Sequence, residues 1–375
     1  MASPHQAQQQ NLPHGDEKVC LIGLGAIGIS FLALHLTYTS AQLSVYDPRP
    51  DLESHLSSIL PLYLPQGPTS PGLSVAELRS QGRLRICSTL DDALVGATIV
   101  QEQGPENEAF KRWTWRSVLP KVAASCRLWS STSGISASRQ LAGLEDGGHA
   151  GEETLESDLA TSARERLLVV HPFNPPHIMP LVELVPSPST LAAEVAFATE
   201  YFLSLRSGHR PITIHKETKG FVANRLSFIL LREACHLVNQ GVVSVAELDE
   251  IMRASLGPRW AVKGVFEMYG FGGGTRGMAG FLDTIGGSIG EVWDDAGGLE
   301  FRDNDQAEDN GMGWKDVVIA QTDEAYGLPT APGIRRRDEG LRAVVKCQRE
   351  IDAAVAGEEK GGGRESERAG ERDKA

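Results

Sequence analysis

The sequence lacks the features that mark membrane and secreted proteins. It contains no run of about 18 apolar residues, the length that spans a bilayer. Its first 15 residues, MASPHQAQQQNLPHG, have neither the apolar core of a secretory signal nor the arginines of a mitochondrial presequence. The cysteines show no C-x-x-C pair and no spacing typical of metal ligands. We therefore expect a cytoplasmic protein without a metal site, whose free thiols are Cys20, Cys87, Cys126, Cys235 and Cys347.

Basic residues are also few. The chain has 36 lysines and arginines against 49 aspartates and glutamates, which gives a net charge of −13 and a pI near 5.3. Nucleic acid and anionic membrane surfaces would repel such a chain at long range. The composition therefore favours a small molecule as the main binding partner.

The pattern of apolar residues predicts two domains. VCLI, GLGAIGISFLALHL and AQLSVYD read as strand, glycine turn, helix and strand, the beginning of a doubly wound parallel sheet. Residues 221–256 show long helical periodicity instead, and 270–313 allow no assignment. We predict an α/β Rossmann domain over 17–212 and an all-α domain over 213–350. Further strands are expected at RLRIC (83–87), ATIVQE (97–102), CRLWSS (126–131) and RLLVVH (166–171).

Three segments have a composition unsuited to a core. Residues 1–16 form a polar lead, and 356–375 are charged and glycine-containing without large apolar side chains, so both are expected to be disordered. Residues 142–165 are acidic and polar, and we interpret them as a surface insertion. Within the helical domain, Ser244 or Val245 precedes an acidic turn that is typical of a helix start.

The glycine turn after the first strand has the G-x-G-x-x-G pattern of a dinucleotide site. The first glycine permits the tight turn, the second leaves room for a pyrophosphate, and the third allows close packing of helix on strand. Asp47 follows the second strand, where a carboxylate accepts hydrogen bonds from a ribose and repels a 2′-phosphate, although Arg49 nearby opposes this effect. The pattern favours NAD over a plain glycine turn, with contacts expected at Gly23, Gly25, Ala26, Ile27, Gly28 and Asp47.

Residues 171–186, HPFNPPHIMPLVELVP, place two ionisable groups in an apolar segment. Glu183 lies twelve residues after His171, with four prolines between them. Buried charges need partners, so the two side chains are expected to pair and the prolines to stiffen the connection. Such a pair is either structural or catalytic, and the segment alone does not decide between the two.

Five motifs in order resemble the 3-hydroxyacyl-CoA dehydrogenase family over roughly residues 17–330. They are GLGAIG, VQEQGPENEAFK, SSTSG, HPFNPPHIMPLVELVP and GFVANRL. HPFNPP, PLVELVP and SLGPRWAVKG look closest to the lambda-crystallin branch, the L-gulonate 3-dehydrogenases, with carnitine 3-dehydrogenases next. The resemblance implies an NAD-dependent dehydrogenase that forms a homodimer through its helical domain.

The resemblance also assigns roles to single residues. It implies that His171 is the general acid and base and that Glu183 orients it, while Ser133 and Asn224 face the substrate. The alternatives are a polar surface loop for Ser133 and a helix cap for Asn224. It further implies cofactor contacts at Glu106, Lys111 and Asn174, although Glu106 and Lys111 also fit a solvated pair on a helix.

The acyl-CoA members of the family carry a lysine-bearing helical hairpin after the second strand. Here residues 51–85 contain no lysine and four prolines (Pro61, Pro65, Pro68 and Pro71), so a continuous helix through 61–71 is not expected. Arg259 offers a carboxylate a two-point partner or is a plain surface arginine. Both features favour a small acid, and the resemblance to the lambda-crystallin branch implies L-gulonate as the favoured substrate, with carnitine and short 3-hydroxyacyl-CoA as alternatives. A non-catalytic, crystallin-like NAD-binding protein is the alternative of another class.

Overall fold

The structure is a computed structural model in which residues 12–64, 73–144, 155–300 and 313–372 are described, with side chains as far as residue 354. The chain divides into two compact units, Met1–Arg225 and Leu226–Ala375. The division lies thirteen residues beyond the predicted boundary at 212/213, because the first turn of a long helix still belongs to the first unit.

An eight-stranded sheet organises the first unit, in the order β3-β2-β1-β4-β5-β6-β7-β8. Every neighbouring pair is parallel except β6 and β7, which are antiparallel. The six strands expected from sequence are all present, and the last two were not predicted. The strands are β1 (Lys18–Ile22), β2 (Gln42–Tyr46), β3 (Leu84–Ile86), β4 (Ile99–Glu102), β5 (Arg127–Ser130), β6 (Leu167–Pro172), β7 (Leu181–Pro186) and β8 (Arg210–Thr213).

Helices cover both faces of this sheet, which confirms the doubly wound α/β fold. Alternate strand residues enter different cores: Val19 and Leu21 of β1 join one apolar cluster, and Cys20 and Ile22 join the other. Burial on both faces explains why the strands read as apolar runs without alternation. The helices of this unit are α1 (Ala26–Tyr38), α2 (Leu52–Tyr63), α3 (Val75–Ser80), α4 (Leu90–Leu94), α5 (Glu108–Val118), α6 (Ala137–Gln140), α7 (Ser157–Arg166) and α8 (Ala192–Ser204).

The expected surface insertion over 142–165 is partly a regular element. Residues 145–154 lie outside the described part of the chain, but α7 occupies the rest of its second half. Ala160 and Ala163 of α7 are fully buried in the second cluster. Ala160 and Ala163 are three residues apart, so they lie on the same face of the helix and form its buried side. The acidic composition of the segment had suggested an exposed loop. Pro61 lies within the last turn of α2, and most of the 61–71 stretch, residues 65–71, also lies outside the described residues.

The remaining helices confirm the predicted all-α second part. Ser244 caps α10 with a reciprocal capping box to Glu247, as the acidic first turn predicts. Part of the unassigned 270–313 segment is a long helix, and 301–312 lie outside the described residues. The helices are α9 (Ala223–Asn239), α10 (Val245–Ala254), α11 (Leu256–Val262), α12 (Val265–Gly272), α13 (Gly277–Asp295), α14 (Trp314–Tyr326) and α15 (Ala331–Arg372).

Helix α15 differs from the expectation of a disordered tail from residue 356, since its backbone is helical to Arg372. The expectation rested on the absence of large apolar residues, which leaves no core to bury but does not by itself exclude a helical backbone. The expected disorder of 1–16 falls mostly on residues outside the described chain. Among the described residues, no helix combines the length and apolarity needed to cross a membrane.

Candidate active site

The glycine turn has the geometry that a dinucleotide needs. Gly23 adopts φ +89°, which an L side chain rarely tolerates. A Cβ at Gly28 would stand 2.0 Å from the carbonyl oxygen of Gly23, whereas a Cβ at Gly25 would meet nothing within 4 Å. Helix α1 begins directly after Gly25 with Ala26 and Ile27, and Gly25 provides no side-chain cap. The open approach at Gly25 and the helix N-terminus together fit a pyrophosphate.

Asp47 follows β2 and is fixed by two backbone amides. Its Oδ2 accepts from the Leu24 N–H at 2.7 Å and its Oδ1 from the Arg49 N–H at 3.0 Å. The carboxylate thus lies beside the glycine turn, where the ribose of NAD is expected. The Arg49 side chain carries the charge that would attract a 2′-phosphate, and it is paired with Asp51 at 2.8 Å.

His171 and Glu183 meet because the strands that carry them are antiparallel neighbours. The register of β6 and β7 places the two residues directly opposite each other. Nδ1 of His171 lies 2.8 Å from Oε2 of Glu183, and the side chains are 4% and 2% exposed. The spacing of twelve residues is therefore the length of a strand pair with its connection. Stiffening by prolines, which the sequence suggested as the reason for the spacing, is secondary to this register.

The pair has a defined tautomer. A carboxylate can only accept, so Nδ1 of His171 carries the proton and Nε2 presents a lone pair. Burial raises the pKa of Glu183, but hydrogen bonds from His171 and from the Ala223 and Val222 amides outweigh burial and leave the pKa below its usual value. Glu183 is thus held ionised beside the imidazole, the arrangement in which a carboxylate orients and supports a general base.

Ser133 and Asn224 lie at the open nitrogen of this imidazole. The Nδ2 of Asn224 donates to the Ser133 carbonyl at 3.1 Å and lies 3.4 Å from Nε2 of His171. Ser133 is exposed, so its hydroxyl is available to a ligand. The structure therefore brings all four predicted catalytic residues together within the first unit.

Glu106 has a role that sequence reasoning missed. Its Oε1 accepts from the Thr132 hydroxyl at 2.6 Å and from the backbone amides of Ser133 and Gly134 at 3.1 and 2.8 Å. The carboxylate thereby ties the turn after β4 to the loop that carries Ser133. The cofactor contact expected of Glu106 stays a prediction, and nothing in the sequence signalled the loop contact.

Lys111 is buried away from solvent and binds a residue that the sequence did not single out. Its Nζ lies 3.0 and 2.9 Å from the two oxygens of Glu102, and both side chains are fully buried. Glu102 also accepts from the Ser130 hydroxyl and the Gly104 amide. Burial raises the pKa of Glu102 despite these partners. The structure therefore excludes the solvated Glu106–Lys111 pair, while a cofactor contact by Lys111 stays a prediction.

The two other predicted contacts are exposed. Asn174 precedes a cis peptide bond to Pro175 at the end of β6. Arg259 lies in α11 of the second unit, with its guanidinium carbon 6.0 Å from the ring centre of Tyr269. The cofactor contact of Asn174 and the carboxylate contact of Arg259 both stay predictions.

A doubly wound sheet, a nucleotide turn and a buried His–Glu pair define an NAD-dependent dehydrogenase that acts on CH–OH groups. Family models agree over most of the chain: the NAD-binding domain of 3-hydroxyacyl-CoA dehydrogenase matches residues 18–149 and 154–218, and its C-terminal domain matches 220–295. The chain belongs to the 3-hydroxyacyl-CoA dehydrogenase family.

Relatives in sequence support this membership, and a solved structure has a similar fold. The chain is 33% identical to an L-carnitine dehydrogenase of Streptomyces griseus, over 92% of this chain and 94% of that protein. It is 31% identical to the one from Pseudomonas aeruginosa, over 88% and 94%. The fold resembles 5-formyl-3-hydroxy-2-methylpyridine 4-carboxylic acid 5-dehydrogenase at 24% identity and a TM-score of 0.61, covering 90% of this chain and 98% of that one.

Proposed function

We propose that the protein oxidises the 3-hydroxyl of a small free hydroxy acid to the 3-oxo acid, with NAD as hydride acceptor. The observation that carries this proposal is the buried His171–Glu183 pair. The other ring nitrogen of His171, Nε2, lies 3.4 Å from Nδ2 of Asn224, which donates to the Ser133 carbonyl. L-Carnitine is the leading substrate, because relatives that match nearly the whole chain are named L-carnitine dehydrogenases. These names favour carnitine, an alternative in the sequence analysis, over L-gulonate, which becomes the second candidate.

The residues support one division of labour. Nε2 of His171 takes the proton of the substrate hydroxyl, and Glu183 stabilises the imidazolium that results. Ser133 and Asn224 hold the reacting oxygen by hydrogen bonds. Bound NAD supplies the acceptor for hydride, and the open approach at Gly25 fits its pyrophosphate. In the reverse direction the same imidazolium returns the proton.

The sequence between β2 and β3 argues for a free acid over a thioester. Residues 51–85 contain no lysine, so the lysines that the family resemblance associates with CoA binding are absent from this stretch. We propose that Arg259 instead binds the substrate carboxylate through parallel hydrogen bonds. Carnitine and gulonate both carry that carboxylate, and a CoA thioester does not.

A substrate panel tests the proposal directly. NADH absorbance is followed with L-carnitine, L-gulonate, 3-hydroxybutyrate and 3-hydroxybutyryl-CoA, and we expect the highest kcat/KM with L-carnitine. Arg259→Ala should raise KM for the free acids about ten- to a hundredfold, the range of a lost charge-assisted hydrogen bond, with little change for the thioester. Exposed Arg253 in the preceding helix gives a matched control, Arg253→Ala. A preference for the thioester, unaffected by Arg259→Ala, would replace this proposal with acyl-CoA oxidation.

We also propose that the protein is a cytoplasmic homodimer that associates through its helical part. Large apolar side chains are exposed on α9, among them Leu226 at 64% and Phe228 at 57%. Exposed apolar side chains in this number are typical of an interface between subunits. Light scattering coupled to gel filtration tests the state, and a monomer across micromolar concentrations would refute it.

A further inference from the structure

The GFVANRL segment contains an unusual turn directly before α9. Gly220 has φ +72° and Phe221 has φ +49°. The left-handed region suits glycine but is disfavoured for a bulky residue, and such conformations persist where the surroundings enforce them. Phe221 is fully buried, and its ring centre lies 5.3 Å from that of His171. A strained aromatic residue thus contacts the imidazole of the proposed base.

The turn also delivers backbone donors to the partner of that base. The amides of Val222 and Ala223 each donate to Oε1 of Glu183 at 3.0 Å. This leaves Oε2 for Nδ1 of His171 at 2.8 Å. Since α9 begins at Ala223, its positive N-terminal end adds to the stabilisation of the carboxylate. Three donors on two oxygens fix the plane of the carboxylate and, through it, the plane of the imidazole.

We propose that the turn Gly220–Ala223 positions the catalytic base. The left-handed backbone of Phe221 aims two amides at Glu183, and the Phe221 ring packs against His171. Glycine at position 221 would adopt this backbone conformation freely, but it would leave the imidazole without the ring contact. This contact explains why an aromatic residue occupies a conformation that it disfavours. The inference deepens the proposed function and rests on the assignment of His171 as the base.

The backbone contribution is tested by deleting one amide. Ala223→Pro removes the N–H at the first position of a helix, where proline is tolerated. Loss of a positive dipole near Glu183 leaves more negative potential at His171. With L-carnitine and NAD, the acidic limb of the kcat/KM profile should therefore move to higher pH by about 0.2 to 0.7 of a unit. Glu183→Gln, which removes the negative charge, should move it to lower pH.

Ala192→Pro is the matched control, because Ala192 is the exposed first residue of α8 and follows an extended residue. It should keep the wild-type profile. Phe221→Gly, a second variant, removes the ring, and glycine adopts the left-handed backbone without strain. We expect kcat to fall at least about tenfold, while the acidic limb of the kcat/KM profile stays at the wild-type pH. A wild-type kcat in Phe221→Gly would overturn the role of the Phe221 ring. A folded Ala223→Pro variant whose kcat/KM profile keeps its acidic limb at the wild-type pH would overturn the role of the backbone amides.

A readout without turnover separates this inference from the proposed function. The downfield Nδ1–H proton signal of His171 is assigned by its loss in His171→Gln. It should shift in Ala223→Pro and stay in place in Ala192→Pro. If wild-type protein oxidises no L-carnitine but the signal shifts, the substrate assignment fails and the positioning role stands. If the signal stays in place in both variants, the positioning role fails.

Discussion

At the scale of single residues, the proposed chemistry depends on an imidazole whose two nitrogens have different partners. Nδ1 of His171 is hydrogen-bonded to Glu183, and Nε2 lies next to Asn224, which in turn donates to the Ser133 carbonyl. The residue types and their spacing were visible in the sequence. The tautomer was not, because it follows from which nitrogen lies next to the carboxylate.

Removing this imidazole should abolish most of the catalysis. We expect His171→Ala to lower kcat at least about 10²-fold, since a general base typically contributes about 10²- to 10⁴-fold. NAD affinity, measured by quenching of tryptophan fluorescence, should hardly change because the glycine turn is intact. A variant that keeps more than about half of the wild-type kcat would refute His171 as the base.

Asp47 should decide between the two nicotinamide cofactors. Asp47→Ala removes the repulsion of a 2′-phosphate and leaves Arg49 near the site, so the ratio of kcat/KM for NADP to that for NAD should rise. Steady-state kinetics with both cofactors measure this ratio. Asp51→Ala is a useful comparison, because it frees Arg49 from its ion pair without touching the ribose acceptor. An unchanged ratio in Asp47→Ala would show that Asp47 does not contact the ribose.

At the scale of elements, the site is assembled where strands end. The loop after β5 carries Ser133, and Glu106 in the turn after β4 accepts hydrogen bonds from three donors of that loop. The edge formed by the carboxyl ends of parallel strands is where such folds bind ligands. The sequence indicated Glu106 and Ser133 but not the hydrogen bonds between their loops. Hydrogen bonds between segments that are distant in the chain leave no local sequence pattern.

Cutting this tie should impair the reaction more than cofactor binding. We expect Glu106→Ala to lower kcat/KM for the hydroxy acid about ten- to a hundredfold, the range for lost bonds to a charged acceptor. Glu108→Ala is the matched control, because Glu108 lies two residues on and pairs with Arg112 and Arg139 instead. If only KM for NAD rises in Glu106→Ala, the residue acts as the cofactor contact that the family resemblance implies.

At the scale of the whole molecule, a buried polar network links stability to pH. His35 is fully buried between Gln101 and Tyr201, with hydrogen bonds of 2.9 Å to each. Burial lowers the pKa of His35 from 6.5 to about 4. The unfolded chain therefore takes up a proton that the folded state excludes, and stability falls as the pH decreases through this window.

We expect the free energy of unfolding to drop between pH 6.5 and about 4, by no more than ~3 kcal/mol from this group. Urea unfolding at several pH values measures the loss. His35→Asn should have a shallower dependence on pH, while His55→Asn, at a half-exposed position on α2, should keep the wild-type slope. Equal slopes in wild type and His35→Asn would mean that His35 is not the group responsible.

The sequence by itself determined the α/β fold class, the nucleotide turn and the pairing of His171 with Glu183, because each depends on local periodicity or on a short motif. Burial on two faces produced apolar runs that mark six strands. Strands β7 and β8 were missed, since proline-rich and half-polar segments resemble loops. The tertiary structure alone decided that Glu183 faces His171 through strand register, that Lys111 pairs with Glu102, and that Phe221 turns two amides toward Glu183. These contacts join different strands, helices and turns, and only the folded backbone fixes the distances between them.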